Sequence, residues 1–135
     1  MEENKIWDKL IEEAKSVVNP REITGFIDAG GVAAAILTDK GNIYKGVCID
    51  TSCTLGMCAE RNAIANMITN GESQIVKLVC INKNNEILPP CGACREYLMQ
   101  LDKDSKEIKI LKNMETYEYE KLDDLIPNWW GYNRY

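Results

Sequence analysis

The chain has 135 residues, with 16 Lys and Arg against 21 Asp and Glu, six cysteines and no histidine. A chain of this length can bury one core, so we expect a single domain over residues 1–135. The absence of histidine excludes Ser-His-Asp hydrolases, Cys-His proteases and every metal site with a histidine ligand. The net charge of −5 disfavours nucleic acid as a partner.

The N-terminal residues do not form a basic and apolar leader, and no apolar run is long enough to cross a membrane. We therefore expect a cytoplasmic protein with no membrane partner. Thiols stay reduced in that compartment, where clustered cysteines bind metal more often than they form disulfides. The cysteines are thus the first candidates for chemistry.

The apolar periodicity predicts helices that alternate with strands along the chain. An amphipathic helix should end before Pro20, and a helix that follows Met57 should end at Asn70-Gly71. The predicted strands are 32–38, 43–49, 75–81, 108–111 and 115–119, and two further helices include residues 97–101 and 122–126. This order predicts an α/β fold, a three-layer αβα sandwich whose mixed sheet has about five strands.

Two cysteine motifs lie at the starts of two predicted helices. Cys58 opens the stretch Cys-Ala-Glu-Arg, and Cys91 and Cys94 stand in Pro-Cys-Gly-Ala-Cys-Arg. Cys91 and Cys94 are three residues apart, so both side chains can reach one ion from the same helical turn. A helix N-terminus also favours the thiolate form that binds zinc. The three cysteines therefore predict a Zn²⁺ site on which the two helix starts converge.

Cys-x-Glu followed by Pro-Cys-x-x-Cys matches the signature of zinc-dependent nucleobase deaminases. Three protein ligands leave one tetrahedral position of zinc open, and a water in that position is acidified. Three thiolates leave a net charge of −1 on the site, which Arg61, or Arg95, can offset by donating to the sulfurs. Glu60 is the predicted catalytic residue, because its carboxylate can carry protons from the water to the ring nitrogen and the leaving ammonia.

Two other interpretations of the cysteines stay open at this stage. The Cys91–Cys94 pair alone is also typical of a redox centre, although thioredoxin-like pairs have no partner Cys-x-Glu motif. A closed structural zinc site with Cys48 or Cys53 as fourth ligand is the second interpretation. The non-enzymatic alternative is therefore a structural zinc module or a nucleoside-binding module.

The chain resembles the small cytidine deaminase family, including its blasticidin S deaminase branch. The similarity covers most of the chain and is carried by residues 32–37, 44–46, 54–63, 89–95 and 125–127. It implies a three-cysteine zinc site and a homotetramer whose active sites lie near subunit boundaries. It also implies hydrolysis of free cytidine or deoxycytidine to the uracil nucleoside and ammonia, in pyrimidine salvage or in antibiotic detoxification, with a substrate contact at Ala59.

The substrate pocket departs from that family. Similar enzymes hold the ribose hydroxyls with Asn-x-Glu, whereas this chain has Cys48 and Asp50, and a thiol cannot replace the paired donor and acceptor of an amide. The segment from Cys48 to Cys58 is one residue shorter, and Gly30 stands where similar enzymes have an aromatic ring. We expect the zinc reaction to be retained and unmodified cytidine to be a poor substrate, with blasticidin S or another modified cytosine nucleoside as the alternative.

The chain ends in an aromatic tail that contains Trp129, Trp130, Tyr132 and Tyr135. One hypothesis is that the tail supplies a stacking surface to the pocket of a neighbouring subunit. The other is that it packs against the first helix or at an oligomer contact.

Overall fold

The computed structural model describes residues 2–135 as four helices and six strands. The helices are α1 (Glu2–Lys15), α2 (Ala59–Thr69), α3 (Gly92–Met99) and α4 (Leu122–Leu125). The strands are β1 (Arg21–Thr24), β2 (Ile27–Thr38), β3 (Ile43–Thr51), β4 (Ile75–Asn82), β5 (Lys109–Leu111) and β6 (Tyr119–Lys121). Among these described residues, no helix has both the length and the apolar character needed to span a bilayer. The predicted α/β class is confirmed, with six strands where about five were expected.

β2 is the central strand of a mixed sheet. It pairs antiparallel with β3 along one edge, and with β1 and then β4 along the other. β4 pairs in parallel with β5, and β5 pairs antiparallel with β6. The register places Ala34 between Gly46 on β3 and Cys80 on β4. These small side chains leave room for a helix to approach the sheet closely.

Helices cover both faces of the sheet, because successive strand residues point to opposite sides. On one face, a hydrophobic cluster joins Trp7 and Leu10 of α1 to strand residues such as Val79. On the other face, a second cluster joins α2, α3 and α4 through residues such as Ala63 and Leu98. This arrangement confirms the three-layer αβα sandwich. It also places α2 and α3, the helices that follow the two cysteine motifs, on the same face.

The apolar pattern does not predict β1, and it starts β2 too late. All four residues of β1 are exposed, so this strand has no buried face to create a pattern. β2 contains an irregular step between Ala29 and Ala33. Gly30, within this step, has a φ of +86°, and a Cβ there would lie 2.1 Å from the carbonyl oxygen of Asn19. The local backbone therefore requires glycine at position 30 and excludes an aromatic side chain.

The last predicted strand also lies later in the chain than expected. The Asn113 side chain accepts hydrogen bonds from the backbone amides of Glu115 and Thr116, and Tyr117 has a positive φ of 62°. These features make a turn, so β6 begins only at Tyr119.

Candidate metal centre and active site

Helix α2 lies very close to β3 at Gly46. A Cβ on Gly46 would come 2.3 Å from the backbone nitrogen of Ala63 and 2.8 Å from the carbonyl oxygen of Ala59. Only glycine permits this approach, since real Cβ contacts are not that short. The contact fixes the first turn of α2 against the sheet. That turn follows Cys58 and contains Glu60.

Cys58 and Cys91 are the residues directly before α2 and α3, and both have extended backbones. The sulfur of Cys91 lies 3.5 Å from that of Cys58 and 3.3 Å from that of Cys94. All three sulfurs lie within 4.8 Å of one another. Sulfurs on one tetrahedral zinc lie about 3.8 Å apart, so small adjustments suffice to hold the ion. The three residues therefore fit a zinc ion.

Cys48 and Cys53 are not part of this sulfur cluster among residues 2–135. Cys53 is exposed, and its sulfur lies 3.4 Å from the Thr51 hydroxyl. The hydrogen bond from Thr51 lowers the pKa of the Cys53 thiol. The geometry thus gives no support to a closed four-cysteine site, and the described cluster has three ligands.

The protein environment affects the paired thiols of α3 in opposite directions. Partial burial opposes ionisation of Cys91, but hydrogen bonds from the Cys94 amide and from the Cys94 and Cys58 thiols bring the pKa of Cys91 below its usual value. Burial and the negative charge of Glu60 raise the pKa of Cys94. Because zinc binds the deprotonated forms, loading the site requires Cys94 to release a proton.

Arg61 brings positive charge to the sulfur cluster. Its Nη2 lies 3.6 Å from the Cys58 sulfur, and this hydrogen bond raises the pKa of Arg61. Its Nε is buried and has no hydrogen-bond partner among residues 2–135. Arg95, the other candidate, donates instead to the carbonyl oxygens of Pro90 and Leu125 at 2.8 and 2.9 Å. The structure therefore favours Arg61 for charge compensation and gives Arg95 a different partner set.

Glu60 is a nearly buried carboxylate beside the thiols, with 4% of its surface exposed. Burial raises the pKa of Glu60, while hydrogen bonds from its own backbone amide and from the Cys80 thiol, and the charge of Arg61, oppose the rise. Cys80 lies on β4 and is itself buried, and its contact with Glu60 has no counterpart in the sequence motifs. A carboxyl group with a raised pKa is well suited to exchange protons near neutral pH.

A cavity of about 570 Å³ opens next to β2 and β3. It is lined by Cys48 and Asp50 together with residues of β1, β2 and the segment after β4, including Arg21 and Leu88. The three clustered sulfurs do not line it, but Leu88 lies in the segment that leads directly into Cys91. Its volume suits a small-molecule ligand.

The three predicted substrate contacts differ in what they can offer a ligand. The Cys48 sulfur accepts a hydrogen bond from the Val32 amide at 3.3 Å, so it is already engaged by the protein. Asp50 is exposed and pairs across the strands with Asp28. Ala59 is fully buried, which leaves only its backbone for any contact.

The aromatic tail packs on α3 and not on α1. Trp129 is 7% exposed and belongs to the hydrophobic cluster of α2, α3 and α4. The Tyr135 hydroxyl donates to the carbonyl oxygen of Met99, the last residue of α3, at 2.6 Å. Packing against the first helix, one of the hypotheses for the tail, is therefore wrong.

Comparisons with known proteins show which family the chain matches. The family described as the cytidine and deoxycytidylate deaminase zinc-binding region matches residues 7–110. The chain is 31% identical over 130 residues to a cytidine deaminase of Mycoplasma genitalium. This alignment covers 95% of this chain and 96% of the relative. It is 30% identical over 101 residues to a cytidine deaminase of Mycobacterium tuberculosis. That alignment covers 74% of this chain and 72% of the relative.

Solved structures of similar proteins share the fold. The crystal structure of cytidine deaminase from Mycobacterium tuberculosis aligns with a TM-score of 0.76 at 26% identity, covering 93% of this chain and 97% of that one. The cytidine deaminase from Mycobacterium leprae aligns with a TM-score of 0.74 at 26% identity, covering 90% and 98%. The αβα sandwich and the sulfur cluster together define a zinc-binding hydrolase. The chain belongs to the cytidine and deoxycytidylate deaminase family, which confirms the resemblance found in its sequence.

Proposed function

We propose that this chain is a zinc-dependent hydrolase that converts a free cytosine nucleoside, cytidine or deoxycytidine, to the uracil nucleoside and ammonia. The observation that carries the proposal is the position of Glu60, buried beside three sulfurs where two helices begin. The proteins named cytidine deaminase that align with nearly the whole chain support the same reaction.

In this proposal Cys58, Cys91 and Cys94 hold Zn²⁺, which when bound supplies Lewis acidity at its open coordination position. Glu60 moves the protons. It accepts one proton from the attacking water as the water oxygen bonds to C4 of the ring, and it delivers that proton to ring N3. It then transfers the second proton of the water to the exocyclic amine, so the C4–N4 bond breaks and ammonia leaves. One water enters and one ammonia departs.

Replacement of Glu60 by Gln tests this role. Glu60→Gln should lower kcat by about 10²–10⁴-fold, because the amide cannot accept and return a proton. Zinc content, measured by mass spectrometry, and the circular dichroism spectrum should stay unchanged. Glu118→Gln is the matched control, because it makes the same chemical change at an exposed position. Full activity of Glu60→Gln, or zinc binding by a wild type that deaminates no cytosine nucleoside, would favour the structural zinc module.

A modified cytosine nucleoside, such as blasticidin S, is the second candidate substrate. The supporting observation is that Cys48, engaged by the Val32 amide, replaces the amide side chain expected for ribose binding. Gly30 also lacks the expected ring. Steady-state rates for cytidine, deoxycytidine, blasticidin S and bulkier cytosine nucleosides discriminate between the two. Cytidine turning over as fast as every other compound would contradict the altered pocket.

We further propose that the chain works as a single domain and assembles as a homotetramer. Both hydrophobic clusters pack on one sheet, which supports the single domain. Phe26 and Leu55 are 74% and 81% exposed, which supports burial of these apolar side chains in an assembly. Native mass spectrometry would give the subunit number, and a monomer at micromolar concentration would contradict the tetramer.

We place this activity in the cytoplasm and in pyrimidine salvage. The support is chemical, since three thiolates that bind zinc must stay reduced. Growth of a pyrimidine-requiring strain on cytidine, with and without this chain, tests the salvage role. Detoxification would be favoured if the strain grows on cytidine without the chain, or if the chain only protects the strain against a nucleoside antibiotic.

A further inference from the structure

Helix α3, which follows Cys91 and contains Cys94, is covered by the last residues of the chain. We call residues 125–135 the C-terminal strap. Trp129 of the strap is buried in the same cluster as Leu98 and Met99 of α3. α3 has only eight residues, and so short a helix derives its stability and position from packing rather than from its own hydrogen bonds. The strap is therefore part of what holds α3 in place.

Glu96 of α3 is the centre of the polar contacts with the strap. Its Oε1 accepts the indole N–H of Trp129 at 3.0 Å and that of Trp130 at 3.1 Å. Its Oε2 accepts the side-chain amide of Gln100 at 2.7 Å. Hydrogen bonds from N–H donors to a carboxylate are charge-assisted and stronger than neutral ones. One carboxylate thus joins two consecutive strap residues to the helix.

Contacts at both ends of α3 complete the attachment. Near the beginning, Arg95 links the carbonyl oxygen of Pro90, the residue before the first cysteine of the pair, to that of Leu125 in the strap. At the other end, Tyr135 donates to the carbonyl oxygen of Met99. The strap therefore contacts α3 from Arg95 to Met99, and Glu96 lies two residues from the sulfur-bearing Cys94.

We propose that the C-terminal strap sets the geometry of the Cys91–Cys94 pair, with Glu96 as the positioning residue. The inference rests on the proposed function in so far as that pair binds zinc. Metal ligands must be held within about 0.5 Å of their productive positions by surrounding contacts. Cys58 is fixed by the approach of α2 to the sheet at Gly46, whereas α3 owes its corresponding attachment to the strap.

Glu96→Gln tests the proposal, because it keeps the size of the side chain and removes its charge and one acceptor. Zinc affinity is measured at 25 °C by competition with a chromophoric chelator, together with the absorption spectrum of the Co²⁺-substituted protein. We expect about tenfold weaker zinc binding, as for other residues that orient metal ligands, and a changed Co²⁺ spectrum. Trp130→Phe removes the indole N–H that Glu96 accepts while keeping an aromatic ring at this exposed position, and it replaces Glu96→Gln if the latter does not fold.

The matched control is Tyr132→Phe. It also removes one hydrogen bond from the strap, but that bond, 2.6 Å from the hydroxyl to Asp123, reaches α4 and not α3. Tyr132→Phe should lower the melting temperature without changing zinc affinity or the Co²⁺ spectrum. Equal zinc affinities in wild type, Glu96→Gln and Tyr132→Phe would overturn the positioning role, as would equal losses in both variants. Failure of the proposed function looks different, because a protein that does not hold zinc at these cysteines would bind the metal equally well after Cys58→Ser.

Discussion

The guanidinium of Arg61 lies 3.6 Å from the sulfur of Cys58, the residue three positions before it. The start of α2 therefore combines a proposed metal ligand with a positive charge that would compensate it. Arg61→Met should weaken zinc retention and lower kcat by about 10–100-fold, because three thiolates then keep their full negative charge. Metal analysis after dialysis and steady-state kinetics measure the two effects. Lys112→Met removes a cation from an exposed ion pair and should change neither.

The buried thiol of Cys80, on β4, opposes the rise in the pKa of the Glu60 carboxyl by favouring its ionised form. Cys80→Ala should lower kcat about tenfold with little change in KM, the size expected for one hydrogen bond to a charged group. Cys80→Ser keeps a donor and should recover most of the rate. If the Cys80→Ala and Cys80→Ser variants have the same kcat, the thiol contributes only packing. Cys53→Ala removes an exposed thiol outside the cluster and is the control.

The lowered pKa of Glu72 implies that the stability of the fold depends on pH. Hydrogen bonds from Thr38, Tyr44 and Asn42 hold the pKa of Glu72 below its usual 4.5. A lowered folded-state pKa adds stability above the unfolded-state value, and that stability disappears as the pH falls through the folded-state value. Wild type should exceed Glu72→Gln in urea resistance at pH 7, and the difference should shrink below about pH 4.5. If the difference in urea resistance between wild type and Glu72→Gln stays the same from pH 7 to pH 3, the prediction is contradicted. Glu115→Gln, at an exposed position, should show neither effect.

The contact of α2 with β3 predicts a strong effect of a small substitution. Gly46→Ala forces the added methyl group into the backbone at Ala63 and should destabilise the fold by about 1–3 kcal/mol or more. It should also displace the turn that contains Glu60 and reduce activity in the protein that still folds. Urea unfolding and kinetics measure the two. Gly25→Ala, where a Cβ meets nothing within 4 Å, should change stability by no more than about 0.5 kcal/mol.

The sequence predicts the Cys91–Cys94 pair and the positions of both cysteine motifs well because their determinants are local. The spacing of Cys91 and Cys94 places both on one helical turn, and each motif stands where a helix begins, which patterns of capping and periodicity reveal. The alternation of apolar residues likewise predicts the buried strands. β1 escapes prediction because Arg21–Thr24 are all exposed and show no alternation.

Contacts between distant segments are what the sequence does not reveal. Cys80 influences Glu60 only because β4 and α2 contribute to one hydrophobic cluster, and Arg95 reaches Leu125 because α4 packs against α3. Similarly, the Trp129 position on α3 depends on a carboxylate 33 residues earlier. Each depends on how helices and strands are arranged in three dimensions, and periodicity along the chain carries no such information.

The sulfurs of Cys58 and Cys91 are 3.5 Å apart in space and 33 residues apart in the chain. An ion that holds both acts as a reversible cross-link, and it closes a loop that includes all of α2 and β4. Closing a loop of this length restricts the unfolded chain by about 4 kcal/mol, by the same arithmetic that applies to a disulfide. A metal bound at these sulfurs would therefore make unfolding harder without any disulfide bond.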